Sequence, residues 1–156
     1  MQLVSAACRS SGIHDERGLV SSAAPAAVVR EFWESFGPTC DDAIATCKRL
    51  VHEDVAWESV LAEARPVRSL DDLVADLERA RRDLGAEGYH FEVKYLAEQG
   101  DVVLSQRIEK ILDKDGNVLL VFDVMALCRV ENGKITWNRD YFYNTQPETW
   151  GRDTAS

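Results

Sequence analysis

The stretch from Val118 to Val130 constrains this chain more than any other. In an extended strand, Val118, Leu120, Phe122, Val124 and Ala126 fall on one side. Leu119, Val121, Met125 and Leu127 fall on the other, interrupted there by Asp123. A strand apolar on both faces needs cover on both. Helices can supply one cover, and a partner subunit the other. Asp115-Gly116 and Asn132-Gly133 bracket the run, and both dipeptides are strong hairpin signals. The run is therefore the middle of an antiparallel meander, Val102–Leu112, Val118–Val130 and Ile135–Tyr143, with another strand, Tyr89–Leu96, ahead of it.

The first half of the chain has the helical period instead. Val29, Phe32, Trp33 and Phe36 recur at helical spacing after Pro25, and Gly37-Pro38 ends that run. Thr39 followed by Asp42 reads as a capping box for a second helix, carrying Ile44, Cys47 and Val51 on one face. A short strand, about Val55–Leu61, comes next. Ser69 and Asp72 open a third helix with Leu73, Leu77, Ala80 and Leu84 on its apolar face, and Gly85 closes it. Helices first and a meander after predict an α+β domain over 25–144. Residues 1–24 are predicted to be a flexible tail and 145–156 an irregular C-terminal tail.

Bulk properties narrow the function classes. The net charge of -9 disfavours binding to nucleic acid. No apolar run is long enough to span a membrane, and the first residues lack the pattern of a secretory signal. Cys8, Cys40, Cys47 and Cys128 are scattered without metal-site spacing, so free thiols and a cytoplasmic location are expected, with no metal and no cofactor.

Arg107 and Glu109 share a strand face. A two-residue turn at Asp115-Gly116 sets Glu109 opposite Phe122 and Arg107 opposite Val124. A three-residue bulged turn at Glu131-Asn132-Gly133 then sets Asp140 opposite Val124 and Phe142 opposite Phe122. A two-residue turn there would place Asp140 beside Met125 instead. The bulged turn gathers Arg107, Glu109 and Asp140 into one carboxylate–guanidinium–carboxylate group on an apolar wall. Such a group is either an acid–base pair with divided protonation or a structural ion-pair network. On the opposite face, Ile135, Trp137, Tyr141 and Tyr143 form an aromatic stripe.

The segment Gly133-Lys134-Ile135-Thr136-Trp137-Asn138-Arg139-Asp140-Tyr141-Phe142 resembles the GKIT…RDYF signature of limonene-1,2-epoxide hydrolases, in the NTF2-like (SnoaL-like) superfamily. Gln106-Arg107-Ile108-Glu109 is similar to that family's arginine–acid strand, and the resemblance spans about residues 25–143. It implies an NTF2-like cone, helices packed on a strongly curved, mixed, mostly antiparallel sheet. It also implies an enzyme in which Asp140 is the general base on water, Glu109 the acid to the epoxide oxygen, and Arg107 the bridge. The implied wall is Leu73, Leu77, Ile111, Phe122, Val124 and Phe142, around a small hydrophobic substrate. The aromatic stripe, with no helix left in sequence to cover it, is predicted to be a homodimer surface, as the resemblance suggests.

This chain departs from the family pattern in three places. Glu109 replaces an aspartate, and Trp57 and Ser59 stand where the family holds its water with tyrosine and asparagine. An indole donates but cannot accept. A cyclase with a substrate hydroxyl as nucleophile, an isomerase using Glu58, and a non-catalytic apolar ligand-binding cone therefore stay open beside the hydrolase.

Overall fold

A computed structural model describes residues 23–59 and 65–144. Apart from Ala23 and Ala24, the expected tails lie outside the described residues, as do Val60 and Leu61 at the end of the first expected strand. Helix α1 (Pro25–Glu34) starts on the proline and buries Val28, Val29, Phe32 and Trp33. Helix α2 (Cys40–Leu50) has the expected capping box between Thr39 and Asp42. Strand β1 (Val51–Ser59) follows without a loop. Val51, expected on the helix face, is instead the first strand residue, with φ -106° and ψ 143°. Its β-branched side chain, together with that of Val55, suits the strand. Helix α3 (Leu70–Leu84) is capped by Ser69 and closed by Gly85 at φ 71°.

Strands β2 (Gly88–Gln99), β3 (Val102–Leu112), β4 (Val118–Glu131) and β5 (Lys134–Asn144) complete a five-stranded sheet in the order β1-β5-β4-β3-β2. β1 runs parallel to β5 and every other pair is antiparallel. This is the expected α+β architecture, three helices on one face of a mixed, mostly antiparallel sheet. Phe32, Trp33 and Phe36 meet Trp57 and Phe91 in a chain of ring contacts between α1 and the sheet. At Gly37, which precedes a cis Pro38, a Cβ would collide with the carbonyl oxygen of Tyr89. The α1–α2 turn needs glycine to approach β2 this closely.

Arg107 faces Val124 and Glu109 faces Phe122, as expected, but through a different turn. Asp113 and Asn117 close a three-residue loop, and a shift between Ile111 and Leu112 restores the register. The β4–β5 connection has the opposite correction. Its turn has two residues, with Asn132 at φ 52° and Gly133 at φ 77°, and Glu131 faces Lys134. Thr136 then bulges, because Val130 faces Ile135 while Arg129 faces Trp137. Asp140 consequently faces Ala126, and Phe142 faces Val124. The pairing is two residues from that expected. An even displacement keeps the face, so Asp140 still points to the side of Arg107.

The bulge also moves Ile135. It was expected on the aromatic stripe and is fully buried under the helices, while Asn138, Asp140 and Phe142 continue the inner row. On the outer face of the sheet, Leu104, Met125, Tyr141 and Tyr143 remain exposed. Within the described residues, one of the two covers required by β4 is present.

Candidate functional site

The inner face of the meander carries a buried charged group. Arg107 has 0% exposure, Glu109 6% and Asp140 3%. The guanidinium lies 3.5 Å from the centroid of the Trp33 ring, a stacked cation–π contact. Its Nε donates to Glu109 Oε1 at 2.7 Å, and its Nη2 reaches the same oxygen at 2.6 Å. Nη2 also donates to Asp140 Oδ1 at 2.8 Å. Nη1 has no protein partner among the described residues. The strand period places Arg107 and Glu109 side by side, and the Thr136 bulge brings Asp140 to them from β5.

Trp57 completes the group. Its Nε1–H donates to Asp140 Oδ2 at 2.9 Å, so each oxygen of Asp140 holds one donor from the described residues. Ser59 is the register partner of Asp140 on β1. Trp57, expected to stand at a water, is in direct contact with the carboxylate itself.

Burial raises the pKa of Glu109, with Asp140 adding to the rise and Arg107 opposing it. A proton held on Glu109 leaves one carboxylate against one guanidinium, which is the cheaper charge state in a buried site. Burial alone would weaken protonation of Arg107, but the two carboxylates outweigh it and the cation is held firmly. Nearby, burial and Asp140 push the Cys128 thiol up to about 12. This thiol stays protonated, donating to Asn138 Oδ1 at 2.9 Å.

The three polar residues open on a cavity of about 170 Å³. Leu73, Leu77, Ile111 and Phe142 line it as expected. Val124 and Phe122 do not. Val124 is sealed beneath Arg107 as its cross-strand partner, and Phe122 lies behind Phe142 in an edge contact at 5.3 Å. Trp33, Phe36, Tyr89 and Phe91 supply the rest of the apolar wall. The spacing of Trp33 and Phe36 on α1 marked a buried face, but which buried aromatics border an opening depends on tertiary packing.

Glu58 lies apart from this site. Arg139 Nε donates to it at 2.6 Å on the other side of β1, and that bond holds its carboxyl below the usual range. Glu58, considered from sequence as a proton shuttle, is not among the described residues that line the cavity.

The SnoaL-like domain model matches residues 29–138. No curated protein matches the chain. Among solved structures, an M. tuberculosis epoxide hydrolase described as LEH-like aligns with 76% of this chain and 82% of its own, at 21% identity and a TM-score of 0.61. An NTF2-like protein of unknown function from Burkholderia pseudomallei aligns with 76% of this chain and 90% of its own, at 15% identity and a TM-score of 0.60. A protein from Jannaschia assigned as a SnoaL-like polyketide cyclase aligns with 76% and 84%, at 11% identity and a TM-score of 0.58. At these identities the likeness is one of fold. With three helices on a mixed five-stranded sheet and a family match across most of the described residues, the chain belongs to the SnoaL-like domain family and has the NTF2-like cone fold.

Proposed function

We propose that this protein opens the epoxide of a compact hydrophobic substrate by one-step general acid–base catalysis. The observation that carries the reading is the bridging of Glu109 and Asp140 by a fully buried Arg107 on the wall of an apolar cavity. Asp140 takes a proton from water as the water oxygen bonds to an epoxide carbon. The carbon–oxygen bond of the ring breaks, and Glu109 gives its proton to the departing oxygen. The product is a vicinal diol, and proton exchange returns Asp140 and Glu109 to their starting states. Burial raises Glu109 toward its protonated form, as an acid requires. Arg107 orients both carboxylates.

The cavity supports the substrate class. At about 170 Å³ it is smaller than the roughly 300 Å³ at which drug-sized sites begin, and near the ~150 Å³ that accommodates benzene. A monocyclic or short branched epoxide fits this range. Turnover of terpene, cycloalkene and aryl epoxides is the test. Wild type is expected to form diols, and Asp140→Asn to lose activity by about 100-fold or more. Equal rates in the two proteins would reject the reading.

A specific contact favours a second reading. The Trp57 N–H occupies Asp140 Oδ2, where a water held by protein acceptors would otherwise dock. A hydroxyl of the substrate, positioned by the rest of the ligand, does not need such a site, and the same acid–base pair would then close a cyclic ether. Trp57→Tyr combined with Ser59→Asn separates the two: increased diol formation favours hydrolysis, and unchanged or reduced diol formation favours cyclisation.

A further inference from the structure

A second cavity, about 440 Å³, adjoins the first, and Trp57 and Leu73 border both. Its other lining residues are of a different kind: Ser59, Val67, Arg65, Asp76 and Arg79. Among the described lining residues two arginines face one aspartate, which is paired with Arg79, on a chain whose net charge is -9. Local cationic character on an acidic protein runs against the field of the molecule as a whole.

The backbone explains why Arg65 is there. Trp57 and Val67 form an antiparallel bridge, with Trp57 N–H donating to the Val67 carbonyl at 3.0 Å and Val67 N–H returning to Trp57 at 3.4 Å. Arg65 lies two residues before this bridge, and it and Ser59 both line the cavity. Ser59 is in turn the partner of Asp140. Arg65 therefore shares the cavity with the β1 residues Trp57 and Ser59, next to the edge of the sheet. Arg79 reaches the cavity from α3, its Nη2 2.8 Å from Asp76 Oδ1. The inner cavity is walled by aromatic and aliphatic side chains, and the outer one offers cationic donors.

We infer that the outer cavity is the second lobe of one ligand site and holds a terminal carboxylate, with Arg65 as its principal partner and Arg79 beside it, while the ligand's apolar body fills the inner cavity past Trp57. The ligand class is thus an amphipathic acid, a compact ring or branched hydrocarbon joined to a carboxylate. A guanidinium fork matches a carboxylate in plane and in spacing. The inference rests on the inner cavity being the place for the apolar body, as proposed above, and is independent of epoxide chemistry.

Binding of ω-cyclohexyl carboxylates, from cyclohexylacetate to 6-cyclohexylhexanoate, is compared with binding of the corresponding primary amides. Calorimetry and quenching of tryptophan fluorescence serve as readouts, since Trp57 and Trp33 border the site. One tail length in the series is expected to bind about tenfold more tightly as carboxylate than as amide. That ratio falls toward one in Arg65→Gln, falls partly in Arg79→Gln, and shrinks as salt is added. Arg82→Gln, the same charge change at an exposed site on α3, leaves the ratio intact. Equal affinities for acid and amide at every length, failure of both series to bind, or an equal fall in Arg82→Gln would overturn the inference. The hydrolase reading fails separately. Carboxylate preference without epoxide turnover removes that reading and keeps this one, whereas diol formation indifferent to ligand charge does the reverse.

Discussion

At the residue scale, Arg107 has the largest consequences. Two carboxylates and a tryptophan ring enclose its side chain, and none of it reaches solvent. Arg107→Met would remove the cation that bridges Glu109 and Asp140 and leave the Asp140 carboxylate buried without its counter-charge. Breaking such a buried network costs about 3–5 kcal/mol, and urea unfolding of the variant should register a loss of that order. Glu109 makes a pH-dependent contribution of known sign. Its folded-state pKa is raised above the ordinary 4.5, so the folded chain keeps a proton that the unfolded chain loses. That stabilisation is complete below 4.5 and disappears as pH rises through the folded-state value. Glu109→Gln cannot titrate, so its stability should change less with pH than wild type across that window, measured by urea midpoints at successive pH values. Epoxide opening, which uses the same proton, should fall as pH rises through the folded-state value.

These charged residues were legible in the sequence because strand alternation alone puts Arg107 beside Glu109. Trp57 was legible only as a residue near the site. Its bond to Asp140 arises from the parallel pairing of β1 with β5, and a parallel pair between strands distant in sequence leaves no turn signal to read. The aromatics Tyr89 and Phe91 were visible as strand residues, while their place on the cavity wall depends on how closely Gly37 lets the α1–α2 turn approach β2.

At the scale of elements, capping chemistry located helix starts well, since Thr39 with Asp42 and Ser69 with Asp72 form local bonds that need no tertiary context. Thr39→Ala would leave α2 without its side-chain cap and should lower stability by about 1 kcal/mol, read from chemical denaturation. Turn lengths were less legible. Asp-Gly and Asn-Gly signal a hairpin in either length, and the bulge beyond each turn has no comparable signature. The expected face of Asp140 was correct because two differences combined: the β4–β5 turn is shorter than expected, and Thr136 adds a residue to the strand. Had either occurred alone, Asp140 would lie on the outer face with Tyr141 in its place.

At the scale of the molecule, the described residues cover one face of the sheet. Leu104, Met125, Tyr141 and Tyr143 lie exposed on the other, Met125 at 50% and Tyr143 at 52%. Gln106 pairs with Asp123 there, at 3.0 and 3.1 Å, so the charge interrupting the apolar side of β4 is already partnered. An apolar patch of this kind is typical of an interface. A second copy of the chain over this face is the expected occupant, and light scattering should give twice the chain mass, reverting to one in Met125→Lys with Tyr141→Lys. A monomeric wild type would leave the patch to some other partner. No helix among the described residues is long and apolar enough to cross a membrane.

In the proposed reaction Asp140 and Glu109 open an epoxide together, in one step, with no bond between ligand and protein. A single turnover in heavy-oxygen water, with enzyme in excess over epoxide, tests this most directly. Mass spectrometry would follow both the diol and the peptide that carries Asp140. One heavy oxygen in the diol from the first turnover, inversion at the attacked carbon, and no label in Asp140 are expected. Unlabelled first-turnover diol with heavy oxygen in the Asp140 carboxylate would mean a covalent ester intermediate. That result would rule out one-step acid–base opening by Asp140 and Glu109.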